Sequence, residues 1–223
     1  MHPVNEILLK QIEDYIGNLF VPPDAALEQN LKEADAAGLP AIAVAPDQGR
    51  LIYILAKISG ATRILEIGTL GGYSTTLLAR ALPKDGKLIT LEMSPAHAAV
   101  ARKNLDRAGV GELVEIRVGR AGDTLSRMIE VGEQPFDLVF IDADKAGYVG
   151  YLNQVLQLSH PGTVILGDNL IRHGDVLQET PPDEMAVGVK AFNALIATHP
   201  RLESILLPIL KSKVDGMSIS RVK

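Results

Sequence analysis

From Arg63 onward, short apolar runs alternate with longer amphipathic ones, and this alternation constrains the fold more than any other feature. The apolar runs are 63–67 (RILEI), 87–91 (KLITL), 113–118 (LVEIRV), 136–141 (FDLVFI) and 163–166 (TVIL). Segments of helical period lie between them, at 73–82, 95–108, 122–131 and 146–159. Short strands that are apolar throughout need cover on both faces, and intervening helices provide it. The pattern therefore predicts an α/β fold built on a parallel, doubly wound sheet. Past Pro181-Pro182 the spacing predicts a helix over 184–198, then strands at 203–210 and 216–222. The short link between those two strands implies an antiparallel C-terminal hairpin, making seven strands in all.

Ahead of the sheet the chain is helical. Ile7, Leu8, Ile12, Tyr15, Ile16 and Leu19 share one helical face, which Pro22-Pro23 end. A second helix is expected from about Asp24 to Ala37, closed by Gly38. A third runs from about Asp47 to Ile58, closed by Gly60. A length of 223 residues suits one large domain, with the helices of 1–60 covering a core of 61–223.

In doubly wound sheets, ligands bind beyond the C-terminal ends of the strands. Oxygen donors gather at those ends here. Leu138-Val139-Phe140-Ile141 runs into Asp142, Asp144 and Lys145, and Val164-Ile165-Leu166 runs into Gly167-Asp168-Asn169. Each Asp or Asn alone reads as a turn or helix-cap residue. Three of them at two strand ends, Asp142, Asp168 and Asn169, suit a hard divalent cation. The first strand ends in "EIGTLGGYST", whose Gly68, Gly71 and Gly72 allow close backbone approach to a ligand at a helix N-terminus. The spacing is not G-x-G-x-x-G, which argues against a dinucleotide. Glu92 ends the second strand about where an acid would hold ribose hydroxyls.

Composition excludes other classes. The chain has no cysteine, so it has no disulfide, thiolate nucleophile or thiolate metal site. Its net charge of −5 opposes extended phosphate contact. No leader pattern and no apolar run near ~20 residues is present, so the expectation is a cytoplasmic protein with no membrane partner. The histidines are scattered, and only His173 lies where it could face the strand ends. Tyr148 and Tyr151 share a helical face and read as packing residues.

In order and spacing, E-x-G-x-x-x-G-Y-S, Glu92, "DADK", "GDN" and the terminal "DGMSIS" resemble the metal-dependent class I O-methyltransferases that use S-adenosylmethionine. The likeness is to the caffeoyl-CoA and catechol O-methyltransferase group, and it spans nearly the whole chain. It implies a Rossmann-like core, a small aromatic hydroxyl acceptor and a homodimer. It also implies S-adenosyl-L-methionine contacts at Val44, Glu66, Gly68, Ser74, Glu92, Met93, Ala121 and Asp142. Asp142, Asp168 and Asn169 would be metal ligands, for Mg²⁺ or else Ca²⁺ or Mn²⁺. Lys145, driven toward its neutral form beside a cation, would be the catalytic base. Asp144 stands where animal catechol enzymes carry an aromatic, and a helix cap is the other reading of it. Arg50 replaces a common Gln, Lys211-Ser212-Lys213 lengthens the last link, and Arg172-His173 would border the acceptor pocket. Two alternatives remain open. One is a tRNA hydroxyuridine methyltransferase, with Lys211 and Lys213 as a local basic patch. The other is a nucleotide-binding module without catalysis.

Overall fold

A computed structural model describes residues 6–209 and 214–223. The strands are β1 (Arg63–Ile67), β2 (Lys87–Glu92), β3 (Val114–Val118), β4 (Phe136–Ile141), β5 (Ser159–Gly167), β6 (Leu202–Ile209) and β7 (Asp215–Val222). They form a seven-stranded sheet in the order β3-β2-β1-β4-β5-β7-β6. The first five are parallel. β7 runs antiparallel between β5 and β6. The mostly parallel sheet with a terminal hairpin is the expected architecture.

Among the described residues eight α-helices flank it: α1 (Glu6–Phe20), α2 (Ala25–Ala36), α3 (Pro46–Ser59), α4 (Tyr73–Ala81), α5 (Pro95–Arg107), α6 (Ala121–Glu130), α7 (Tyr148–Val155) and α8 (Glu184–Thr198). Strand alternation divides the core into two layers. Ile64, Leu138 and Phe140 pack with Ile52 of α3, Leu77 and Leu78 of α4 and Leu105 of α5. Leu65, Ile67, Val139 and Ile141 face Leu125 of α6, Leu152 of α7 and Phe192 of α8. The same alternation turns Glu66 toward the first turn of α4, where its hydrogen-bond partners lie.

The sheet reverses its winding between β1 and β4, and a crevice opens there at the C-terminal ends. Gly68 has φ +103°, and a Cβ on it would come 2.1 Å from the carbonyl oxygen of Asp142. Only glycine lets these two strand ends lie so close.

The structure departs from the sequence expectations most clearly in four places. Leu113 belongs to a 3₁₀ turn ahead of β3. The segment expected as one helix over 146–159 is a 3₁₀ turn at Lys145–Gly147, then α7, then a second 3₁₀ turn at Leu156–Leu158. β5 starts at Ser159, not 163, because Ser159 pairs with Phe136 and the Thr163 hydroxyl donates to the Phe136 carbonyl at 2.7 Å. The expected apolar face of α1 is present, but Ile7, Leu8, Ile12, Tyr15 and Leu19 point to solvent, and among the described side chains of the helix only Leu9 is buried. Residues 210–213, which include the proposed basic patch, lie outside the described residues.

Candidate active site

The glycine turn is held from below. Glu66 is fully buried and accepts hydrogen bonds from Ser74 Oγ (2.6 Å), Thr75 Oγ1 (2.5 Å) and Thr90 Oγ1 (2.7 Å). Burial pushes its carboxyl up to about 7 despite those three donors. Glu92 braces the turn from the side: Oε2 accepts from the backbone N–H of Thr69 (3.3 Å) and Leu70 (2.8 Å), and Oε1 accepts from Ser94 N (2.9 Å).

These residues border a cavity of about 1300 Å³. Its walls include Val44, Gly68, Ser74, Glu92, Met93, Ala121, Asp142, Lys145 and Asn169. Glu66 and Asp168 do not line it. Glu66 lies under the turn as described, and Asp168 is 2% exposed behind the wall. Residues of α2 and the segment from Leu39 to Pro46 also line the cavity.

At the β4 and β5 ends the polar groups interlock. Lys145 Nζ donates to Asp142 Oδ1 and to the Tyr148 hydroxyl, both at 2.7 Å. Asp168 Oδ1 accepts from Asn169 N at 2.8 Å and from Gln48 Nε2 at 3.3 Å. Burial, and then the negative charge of Asp142, push the Asp168 carboxyl up to about 7. The Asp142 carboxylate thus lies near enough to raise the proton affinity of Asp168, with the Lys145 nitrogen bound to Asp142. Among the described residues no three His, Cys, Asp or Glu side chains converge as a metal site, and the donor set at this point is two carboxylates plus an amide. Asn169 takes φ +59° as the chain leaves β5. The loop after it is anchored to β7: Asp215 Oδ1 accepts from Ile171 N (3.0 Å) and Arg172 N (3.1 Å).

The O-methyltransferase family profile matches residues 23–223. The chain belongs to the O-methyltransferase family. A catechol O-methyltransferase of Niastella koreensis is 45% identical over 221 residues, covering 99% of this chain and all of that protein. Another from Mycobacterium tuberculosis is 42% identical over 213 residues, 95% of each chain. The structure of a Bacillus cereus O-methyltransferase in complex with SAH superposes with a TM-score of 0.94 at 42% identity, covering 98% of this chain and all of that one.

Several residues of this O-methyltransferase depart from the sequence reading. The histidine on the cavity wall is His97, not His173. Ser94 caps α5 by accepting from His97 N, and this brings the imidazole Nδ1 to 3.5 Å from Glu92. His173 has φ +57° and is held through its N–H by Val214 O, while Arg172 lines the cavity instead. Arg50 is not on the wall; its guanidinium lies 5.1 Å from the Tyr53 ring centroid. Asp144 is the cap that one reading anticipated, accepting from Gly147 N at 3.1 Å. It also accepts from the hydroxyl of Tyr151, a cavity residue and not a packing residue alone. The spacing of Ser94 to His97 and of Lys145 to Tyr148, three residues apart at helix starts, was the available signal for both contacts.

Proposed function

We propose that this enzyme transfers the methyl group of S-adenosyl-L-methionine to one of two adjacent hydroxyls on an aromatic ring. One observation carries the reading: a single cavity joins the glycine turn and Glu92 at one end to the Asp142–Lys145 pair at the other. The donor's adenosine would lie toward Glu92, Met93 and Ala121. Its methionine end would lie toward Val44, Gly68 and Ser74, and its sulfonium near Asp142. Glu66 acts here through Ser74, which it holds, and not by contact. The similarity to enzymes named for catechol supports the acceptor class.

Asp142, Asp168 and Asn169 suit a divalent cation, because the mutual repulsion of the two carboxylates is relieved by positive charge between them. Mg²⁺, or else Mn²⁺ or Ca²⁺, would supply Lewis acidity to a chelating diol when bound. The protein's own part is positional. Lys145 takes the proton of the hydroxyl, and the oxygen attacks the sulfonium methyl in line. S-adenosylhomocysteine and the methyl ether leave. Much of the acceleration comes from holding the two reactants at attack distance. The wall formed by α2 and the 39–46 segment excludes water from the reacting atoms.

We read residues 1–223 as one catalytic unit, working as a homodimer in the cytoplasm. The exposed apolar face of α1 supports the dimer, since monomers seldom leave such a stripe in water. No described helix is long and apolar enough to cross a membrane.

The test is methyl transfer from labelled S-adenosylmethionine to matched ring diols and mono-hydroxyl rings, and to tRNA, each with Mg²⁺ and with EDTA. The diol should be methylated in Mg²⁺ alone. Equal kcat/KM for the diol and the single hydroxyl, or full activity in EDTA, would overturn the reading.

A further inference from the structure

The Tyr148 hydroxyl has an unusual set of neighbours for a packing residue. The side chain is fully buried, with its ring edge-on to Phe192 at 5.3 Å and 69°. Its oxygen lies 3.0 Å from the carbonyl of Ile141 and 3.1 Å from that of Asp168, the last groups of β4 and just past β5. The third neighbour is Lys145 Nζ at 2.7 Å.

Counting protons fixes the roles. A phenol has one O–H to donate and can accept through its lone pairs. Both carbonyls are acceptors only, so the phenolic proton goes to them. Toward Lys145 the oxygen is then an acceptor, and the amine must donate. Asp142 Oδ1, also 2.7 Å away, takes a second N–H of the same amine. With two of its tetrahedral directions committed to Asp142 and Tyr148, the nitrogen is fixed in place where Lys145 lines the cavity. The backbone of this turn is equally confined: a Cβ on Gly188 of α8 would meet the Lys145 carbonyl oxygen at 2.4 Å and Ala146 Cα at 2.8 Å.

We propose that Tyr148 is a positioning residue that, by accepting one N–H of Lys145, fixes the Lys145 nitrogen at the cavity wall and ties it to the ends of both strands. The proposal rests on Lys145 being the base, as read above.

The experiment is a double-mutant cycle with Tyr148→Phe and Lys145→Met, following kcat, both KM values, S-adenosylhomocysteine affinity by calorimetry and the thermal midpoint. Tyr148→Phe keeps the ring and its contact with Phe192. It should lower kcat by about tenfold, with KM values and S-adenosylhomocysteine affinity changed less than about twofold. In the Lys145→Met background the same change should alter kcat by less than about twofold, because groups acting as one unit are not additive. An equal loss in both backgrounds would make Tyr148 structural and overturn the proposal, as would an unchanged kcat in Tyr148→Phe. If Lys145→Met alone keeps the wild-type kcat, the base assignment falls and the proposal with it. If Lys145→Met abolishes turnover while Tyr148→Phe does nothing, only the proposal falls. Should the Phe variant fail to fold, 4-aminophenylalanine at position 148 offers two N–H donors to the two carbonyls but a poor acceptor to Lys145. It should show the same loss of kcat, and a wild-type kcat there would equally overturn the proposal.

Discussion

Glu92 holds three backbone N–H groups while standing on the cavity wall, so the same carboxylate shapes the turn and faces the ligand. Charge-assisted bonds of this kind contribute ~1.5–3 kcal/mol. Glu92→Ala should therefore weaken S-adenosylhomocysteine by tenfold or more in calorimetry, and an unchanged affinity would remove Glu92 from the site. Glu66 poses a different problem, a carboxyl in a dry place. Its native value of about 7 lies above the ordinary 4.5, so the folded protein binds a proton there that the unfolded chain releases. The stability this gives is fully present below pH 4.5 and is lost as pH rises through 7. The stability of Glu66→Gln should accordingly gain on the wild type between those limits, by about 3 kcal/mol in all, and run parallel to it above pH 7.5 or so, as read from melting temperatures against pH. A gap that does not change with pH would mean that Glu66 is ionised throughout.

At the scale of elements, the site stands on strand ends. Asp168 closes β5 and the glycine turn closes β1, so damage to one should spare the other. Asp168→Ala is expected to abolish turnover at ordinary Mg²⁺ while S-adenosylhomocysteine affinity stays within about threefold, since the two groups share no partner. A wild-type rate in that variant would return Asp168 to the role of a turn residue. The strands themselves were legible because 63–67 and 136–141 are apolar on both sides, and no other element suits that pattern. Ser159-His160-Pro161 was not legible as strand, for Pro and Ser read as a break. Its pairing comes from Phe136 and Asp137 across the sheet, where His160 Nε2 lies 2.9 Å from Asp137. Tyr148 escaped the sequence reading for a related reason. A fully apolar environment for its ring is what packing predicts, and only the three-dimensional closeness of two strand ends shows that the hydroxyl has work beyond it.

The whole molecule leaves one surface unexplained by its own core. Leu8, Tyr15, Leu19 and Phe20 of α1 are each more than half exposed. If a second copy covers them, light scattering after gel filtration should give twice the chain mass. Leu8→Asp combined with Leu19→Asp should then shift it to the monomer, with the thermal midpoint of the core little changed. A monomeric wild type would refute the dimer. In the sheet as a whole, the parallel half was predictable from one repeated pattern. The insertion of β7 between β5 and β6 rests on register and not on hydropathy: Gly167 pairs with Ser218, and Leu206 pairs with the same residue from the other side.

That insertion has a consequence for how the protein comes into being. Translation delivers β1 to β5 first, and the parallel half can collapse on its own helices as it emerges. The loop at Ile171 and Arg172 cannot settle then, because the carboxylate that receives its two N–H groups belongs to Asp215, and Leu170 N waits for the carbonyl of Gly216. A nascent chain halted before residue 215 should already hold S-adenosylhomocysteine yet be inert toward the acceptor. Activity would then appear only as the final strand threads into the gap that β5 and β6 leave for it.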